Sequence, residues 1–156
     1  SLGNGLSLGL GMALAAKMDD KKYRTFVLIG DGACAEGYIW ESAMFASQYN
    51  LNNLVAIVDR NRLSVTSSLS EEDSSGNLNE KFEACGWKSS TINGHSFKEL
   101  LNVFNKVNSF DRPLVIIANT IKGKGISFME NGAKWHHSVP NKEELEKARK
   151  ELKKYD

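Results

Sequence analysis

A doubly wound, mostly parallel α/β sheet is the fold class this sequence predicts, and three observations predict it. Four short runs rich in Val, Ile and Leu stand out: "TFVLIG" (25–30), "LVAIVD" (54–59), the weaker "KSSTI" (88–92) and "LVIIANT" (114–120). Their nearly continuous apolar character suits strands covered on both faces. Helical patterns at 36–49, 79–85 and 96–108 separate them, and strand alternating with helix is the order that builds a parallel sheet through crossover connections. A chain of 156 residues, 41% hydrophobic and 25% charged, suits a single domain spanning 1–156 with a proper core.

The first element, "SLGNGLSLGLGMALAAKM", reads as a buried glycine-rich helix. It lacks the initiator Met and basic flank of a secretory leader, and no stretch approaches the roughly twenty apolar residues of a membrane span. After the strand at 25–30, the helix at 36–49 carries Ile39, Ala43, Phe45 and Ala46 close to helical spacing. Trp40, Met44 and Phe45 on it are assigned to packing, within or between chains. Residues 64–78, rich in Ser, Asp and Glu, read as a mobile surface loop. The helix at 96–108 has Ser96 as N-cap and Glu99 three positions on. The tail predicts a charged, solvated helix over about 141–154, entered at Asn141, with glutamates in its first turn and lysines in its last.

Twenty basic and nineteen acidic residues leave a net charge of +1, so no global field draws nucleic acid or an anionic membrane surface. Cys34 and Cys85 stand far apart without metal-ligand spacing. They indicate neither a disulfide framework nor a zinc site, and a reducing, cytoplasmic setting is expected.

Chemistry enters at "LIGDGACAEGYIWE" (28–41), where Asp31 ends a buried strand between Gly30 and Gly32. In open α/β sheets ligands collect beyond the carboxyl ends of the strands. Asn61, just past the strand at 54–59, occupies a second such position. A carboxylate, an amide oxygen and a main-chain carbonyl are hard donors that suit Mg²⁺, which keeps room for water and phosphate oxygens. Gly30 and Gly32 let the backbone turn tightly and approach a ligand, and the following helix offers free N–H groups to an anion. A Gly-Asp-Gly after a strand is also an ordinary turn with an Asx hydrogen bond. Asn61 is what turns the reading toward a metal.

The stretch "GDGACAEGYIWESAMFASQYNLNNLVAIVDRNRLS" resembles the diphosphate-binding half of transketolases, with the GDG…N motif of thiamine diphosphate enzymes. "SLGNGLSLGLGMALAAK", "CGWKSSTINGHS" and "TIKGKGISFMENGAKWHHSVPN" resemble further family segments in the same order, so the likeness spans nearly the whole chain. It implies that Asp31 and the side-chain oxygen of Asn61 coordinate Mg²⁺ with the main-chain carbonyl of Leu63. It also implies that Gly30 and Gly32 approach the diphosphate and that Leu2 packs against the cofactor. Glu36 matches a glutamate of a carboxylate network that links cofactor sites across a dimer; a first-turn glutamate favoured by the helix dipole is the plainer reading. His136 matches a histidine near the diphosphate and the substrate's reacting carbon, where an imidazole shuttles a proton or donates a hydrogen bond. His137 stands where many relatives have glycine, which leaves the assignment between the two histidines open. His95 reads as a structural turn residue, and Lys122 and Lys124, flanked by glycines, as a flexible solvated loop.

The resemblance implies transfer of a two-carbon ketol unit from a ketose, such as a sugar phosphate, to an aldose, with the cofactor as electron sink. The pyrimidine-binding domain of that family has no counterpart in this sequence, nor has the region preceding the glycine-rich helix. The expectation is an N-terminally shortened subunit of a split transketolase, completed by a C-terminal, pyrimidine-binding subunit in a homodimer or heterotetramer. A non-catalytic domain that binds only Mg-diphosphate or serves in assembly is an alternative. So is another thiamine enzyme of the 2-oxo-acid decarboxylating type.

Overall fold

In the computed structural model, which describes residues 3–63 and 76–155, four parallel strands are flanked by helices on both faces. Chain order gives α1 (Asn4–Met18), β1 (Thr25–Gly30), α2 (Gly37–Gln48), β2 (Leu54–Arg60), α3 (Leu78–Ala84), β3 (Lys88–Asn93), α4 (Phe97–Phe104), β4 (Leu114–Asn119) and α5 (Lys142–Leu152). The sheet order is β1-β2-β4-β3, every pair parallel. The doubly wound parallel class is therefore the one observed. The last β1 residue, Gly30, is level with Asp59 of β2, and Asp59 with Ala118 of β4. Arg60, Asn119 and Asn93 are level as well, so all four strands end within a residue of one another, and the residues just beyond share an edge.

Period-two alternation divides the strands between two cores. On one face Val27, Ile29, Ala56, Val58, Val115 and Ile117 pack with Leu6 and Ala13 of α1, Ile39, Ala43 and Ala46 of α2, and Leu78 and Phe82 of α3. On the other, Val55, Ile92, Leu114, Ile116 and Ala118 pack with Val103 of α4 and with Val107. Phe82 is wedged between Trp40 and Trp87, with ring centroids 5.1 Å and 5.4 Å away. Both indoles are tied down, Trp40 Nε1 donating to Cys34 O at 2.9 Å and Trp87 Nε1 to Ala43 O at 2.8 Å.

Several sequence expectations shift. The first helix is buried on one face only, through Leu6, Gly9, Ala13 and Ala16, while Leu8 (66%) and Met12 (59%) are exposed. Gly9 permits the close approach on that face, because a Cβ there would lie 2.2 Å from Cγ2 of Val27. β1 has a single neighbour in the described sheet, and its outward residues Phe26 (50%) and Leu28 (70%) are open to solvent. The pattern at 96–108 is a shorter helix followed by a 3-10 turn at Val107–Ser109. Most of the expected loop at 64–78 lies outside the described residues, and Leu78 already opens α3. Trp40 is half-buried, whereas Met44 is exposed and Phe45 stacks on Tyr49 with centroids 4.4 Å apart.

The charged tail helix is entered through a full capping box, Asn141 accepting from Glu144 N and Glu144 accepting in return from Asn141 N, both at 2.9 Å. Asn141→Ala is expected to cost about 1 kcal/mol of stability in urea denaturation. An unchanged midpoint would show that α5 contributes nothing to the cooperative unit.

Candidate functional site

Just past the level row at Gly30, the chain enters a five-residue 3-10 helix, Asp31–Ala35, before α2 begins at Gly37. The helix expected directly after the motif is thus preceded by one tight turn, and the turn is what places Asp31. Asp31 as a whole is 4% exposed. Gly32 N donates to Oδ1 at 2.8 Å, and Arg62 N donates to Oδ2 at 2.7 Å. The second bond crosses from the β1 end to the loop after β2, so Asp31 and residues 61–63 are held together at the same edge. Within that loop Asn61 Oδ1 accepts from Leu63 N at 3.1 Å. The Asx turn expected of an ordinary Gly-Asp-Gly is not what forms at Asp31, whose Oδ1 takes the N–H of the next residue; the Asx bond lies instead at Asn61, to the N–H two residues on.

Burial raises the proton affinity of Asp31 above that of an ordinary carboxylate, and the charge of Asp59 adds to this; the Arg62 and Gly32 N–H groups and the Arg60 charge offset part of it. A positive ion at the carboxylate would oppose both raising effects. Cys34 follows three positions later, fully buried, its thiol pushed up to about 12 by burial first and the Asp31 charge second.

Gly30 and Gly32 need a different explanation from tight turning. Gly30 has φ −77, Gly32 is not among the positive-φ glycines, and a Cβ built on either would meet nothing within 4 Å. The space above them is open, as a docking diphosphate would require. Beside it runs a cleft of about 470 Å³ lined by Arg60, Asn61, Leu63, Asn119, Thr120 and Asn131, among others. Asn119 Oδ1 is buried there without a hydrogen-bond partner. Open space over two glycines, a buried carboxylate and an orphaned amide oxygen together fit Mg²⁺ and a diphosphate. Among the described residues no three His, Cys, Asp or Glu cluster as a metal site.

Glu36 is exposed at the N-cap of α2, and its side chain makes no capping bond to that helix. It sits against Gly3, whose φ of 86 suits glycine and where a Cβ would lie 2.9 Å from that of Glu36. Leu2 lies outside the described residues.

His136 closes a 3-10 turn, Ala133–His136, on the loop that leaves β4 at the same edge. Hydrogen bonds and an ion pair cross the loop that its glycines predict to be flexible and solvated. Asn131 N donates back to Lys122 O at 3.0 Å, Gly125 N to Glu130 Oε1 at 3.1 Å, and Lys124 pairs with Glu130 at 3.5 Å. Gly123, at φ 73, faces Met129 O, which would be 2.5 Å from a Cβ. Glu151 of α5 fastens the loop from below, accepting from Ser127 N and Oγ.

Lys122 Nζ lies 3.1 Å from His136 Nδ1. The ammonium lowers the proton affinity of His136, with lesser contributions from burial and His137. A lysine donating to Nδ1 leaves the neutral ring's proton on Nε2. Sequence reasoning misses this partner, because the intervening positions carry no periodic signal. The rings of His136 and His137 are 4.5 Å apart, and the Lys122 contact is made by His136. Asn119 and Thr120 are missed as well; only their place at a strand end could suggest them.

Known proteins share this fold. Residues 1–155 match the family described as transketolase, thiamine diphosphate binding domain. An apulose-4-phosphate transketolase subunit of Phocaeicola vulgatus is 45% identical over 97% of this chain and 54% of its own length. A 6-deoxy-6-sulfo-D-fructose transketolase subunit of Clostridium sp. is 39% identical over 95% of this chain and 54% of its own. The chain thus spans about half the length of these curated relatives. A transketolase crystal structure from Campylobacter jejuni superposes with a TM-score of 0.82 at 27% identity, covering 96% of this chain and 24% of that one. With its four-stranded parallel sheet ending in a level row at Gly-Asp-Gly, the chain belongs to the transketolase thiamine diphosphate-binding domain family.

Proposed function

We propose that this chain is the diphosphate-binding component of a two-chain transketolase, moving a two-carbon ketol unit from a ketose, such as a sugar phosphate, to an aldose with thiamine diphosphate and Mg²⁺. The observation that carries the reading is the bond from Arg62 N to Asp31 Oδ2, which gathers the β1 and β2 ends of a chain of this family into one oxygen-rich edge. Asp31, the Asn61 side chain and the Leu63 carbonyl would hold the metal, with Gly30 and Gly32 leaving room for the diphosphate. When bound, the cofactor supplies the electron sink for carbon–carbon cleavage. His136, neutral and carrying its proton on Nε2, would donate a hydrogen bond or a proton at the reacting oxygen. Glu36, outward-facing and without a capping bond, would reach across to a second protomer.

A pyrimidine-binding C-terminal subunit would complete the site, in a homodimer or heterotetramer of the pair. Two relatives carry the word "subunit" in names that specify apulose-4-phosphate and 6-deoxy-6-sulfo-D-fructose, which supports a two-chain arrangement. Both cysteines are free thiols, in keeping with a cytoplasmic setting, and among the described residues no helix is long and apolar enough to cross a membrane.

The test is reconstitution. Mixing the chain with its pyrimidine-binding partner, thiamine diphosphate and Mg²⁺ is expected to produce ketol transfer from ketose phosphates that neither chain shows alone. Decarboxylation of pyruvate in place of ketol transfer would move the assignment to another thiamine enzyme. Cofactor binding without turnover on any substrate would leave a non-catalytic role.

A further inference from the structure

The turn between β3 and α4, read from sequence as merely structural, grips the segment that leaves β4. Gly94 N donates to Asn119 O at 2.8 Å, and Ile121 N donates to His95 Nε2 at 2.8 Å. The turn is itself braced: Asn93 Oδ1 accepts from His95 N at 2.9 Å, and Asn93 N donates to Glu99 Oε2 at 2.8 Å. It is also close-fitting, since a Cβ on Gly94 would lie 2.5 Å from Cγ2 of Thr120.

What the turn holds is functional ground. Asn119 and Thr120 line the cleft with Asn61 and Leu63, and Thr120 Oγ1 donates to Asp59. The residue after Ile121 is Lys122, which contacts His136. A displacement at Ile121 therefore carries into both the cleft wall and the histidine loop.

We infer that His95 is a positioning residue: through the Ile121 N–H it fixes where Lys122 and His136 stand relative to Asp31 and Asn61. The importance of that placement rests on the transketolase reading, but the bond itself does not. Because a backbone N–H donates to it, Nε2 holds a lone pair and the ring's proton is on Nδ1.

Two substitutions separate the acceptor from the ring. His95→Gln can present an oxygen three bonds from Cβ, as Nε2 is. His95→Phe keeps the ring but leaves the Ile121 N–H without its acceptor. His95 is exposed, so neither change disturbs the core. Hydrogen exchange read by mass spectrometry on the full-length protein without cofactor is expected to be on the order of tenfold faster across 119–136 in His95→Phe, with His95→Gln near wild type. Titration with thiamine diphosphate and Mg²⁺ should show Kd raised on the order of tenfold in the Phe variant and restored in the Gln variant. Wild-type exchange in the Phe variant, or equal acceleration in both variants, would overturn the positioning role. Failure of the wild-type protein to bind thiamine diphosphate would overturn the functional reading, while the exchange data still decide the part played by His95.

Discussion

Asp31→Ala is expected to abolish useful binding of thiamine diphosphate and Mg²⁺. Losing a buried charged partner costs about 2–5 kcal/mol of binding, which is roughly thirtyfold to a few thousandfold in Kd. Folding should suffer as well. The Gly32 and Arg62 N–H groups lose their acceptor, each at a cost of about 1–3 kcal/mol. Removing a carboxylate whose burial already disfavours its charge returns part of that, so the net loss should sit near the lower figure. Asp31→Asn keeps the volume but turns an –NH₂ toward one of two N–H donors, and it should behave like the alanine variant in binding. Calorimetric titration with thiamine diphosphate and MgCl₂, beside urea denaturation, separates the two effects. Near-wild-type affinity in either variant would show that the metal, if any, binds elsewhere.

The largest effect on stability is expected at Phe82. Its ring is fully buried between Trp40 and Trp87, and truncation to alanine should cost about 3–5 kcal/mol. A domain of this kind has about 5–15 kcal/mol in all, so the variant should unfold at a much lower urea concentration. Phe82→Leu, which keeps most of the volume, should cost less. The loss should also reach the site. Trp40 leans on Phe82 and holds Cys34 O, which lies in the 3-10 turn that begins with Asp31. Cofactor affinity is therefore expected to fall in the alanine variant even where the chain remains folded. If affinity under those conditions were unchanged, the turn would be positioned by its own hydrogen bonds alone.

The legible parts of this molecule are those with local signals. Strands β2 and β4 are apolar runs because both their faces are covered, and β1 is one although Phe26 and Leu28 lie open on its outer side. Each is identifiable from sequence to within a residue. β3 is weaker because Ser89, Ser90 and Thr91 lie on a strand with a single neighbour in the described sheet, where Ser89 and Thr91 turn their hydroxyls to Asn79. Nothing local encodes the order β1-β2-β4-β3. The first helix defeats such a reading because it is apolar all round, and composition does not say which neighbour covers which side. At the site, Gly-Asp-Gly and Asn61 are legible as strand-end residues. The Lys122–His136 contact and the His95–Ile121 bond come from chain reversals across 14 and 26 positions, which leave no periodic trace, and the buried Asn119 oxygen has no local signal either.

The uncovered flank of β1 bears on how the molecule behaves in a test tube. Among the described residues β1 is an edge strand with main-chain groups that no strand pairs, Phe26 and Leu28 add exposed apolar surface on one of its faces, and a charge of +1 with an isoelectric point near 7.7 gives copies almost no mutual repulsion at neutral pH. Preparations of this polypeptide by itself should therefore cloud as they are concentrated, and clear when it is co-expressed with whatever shields that flank.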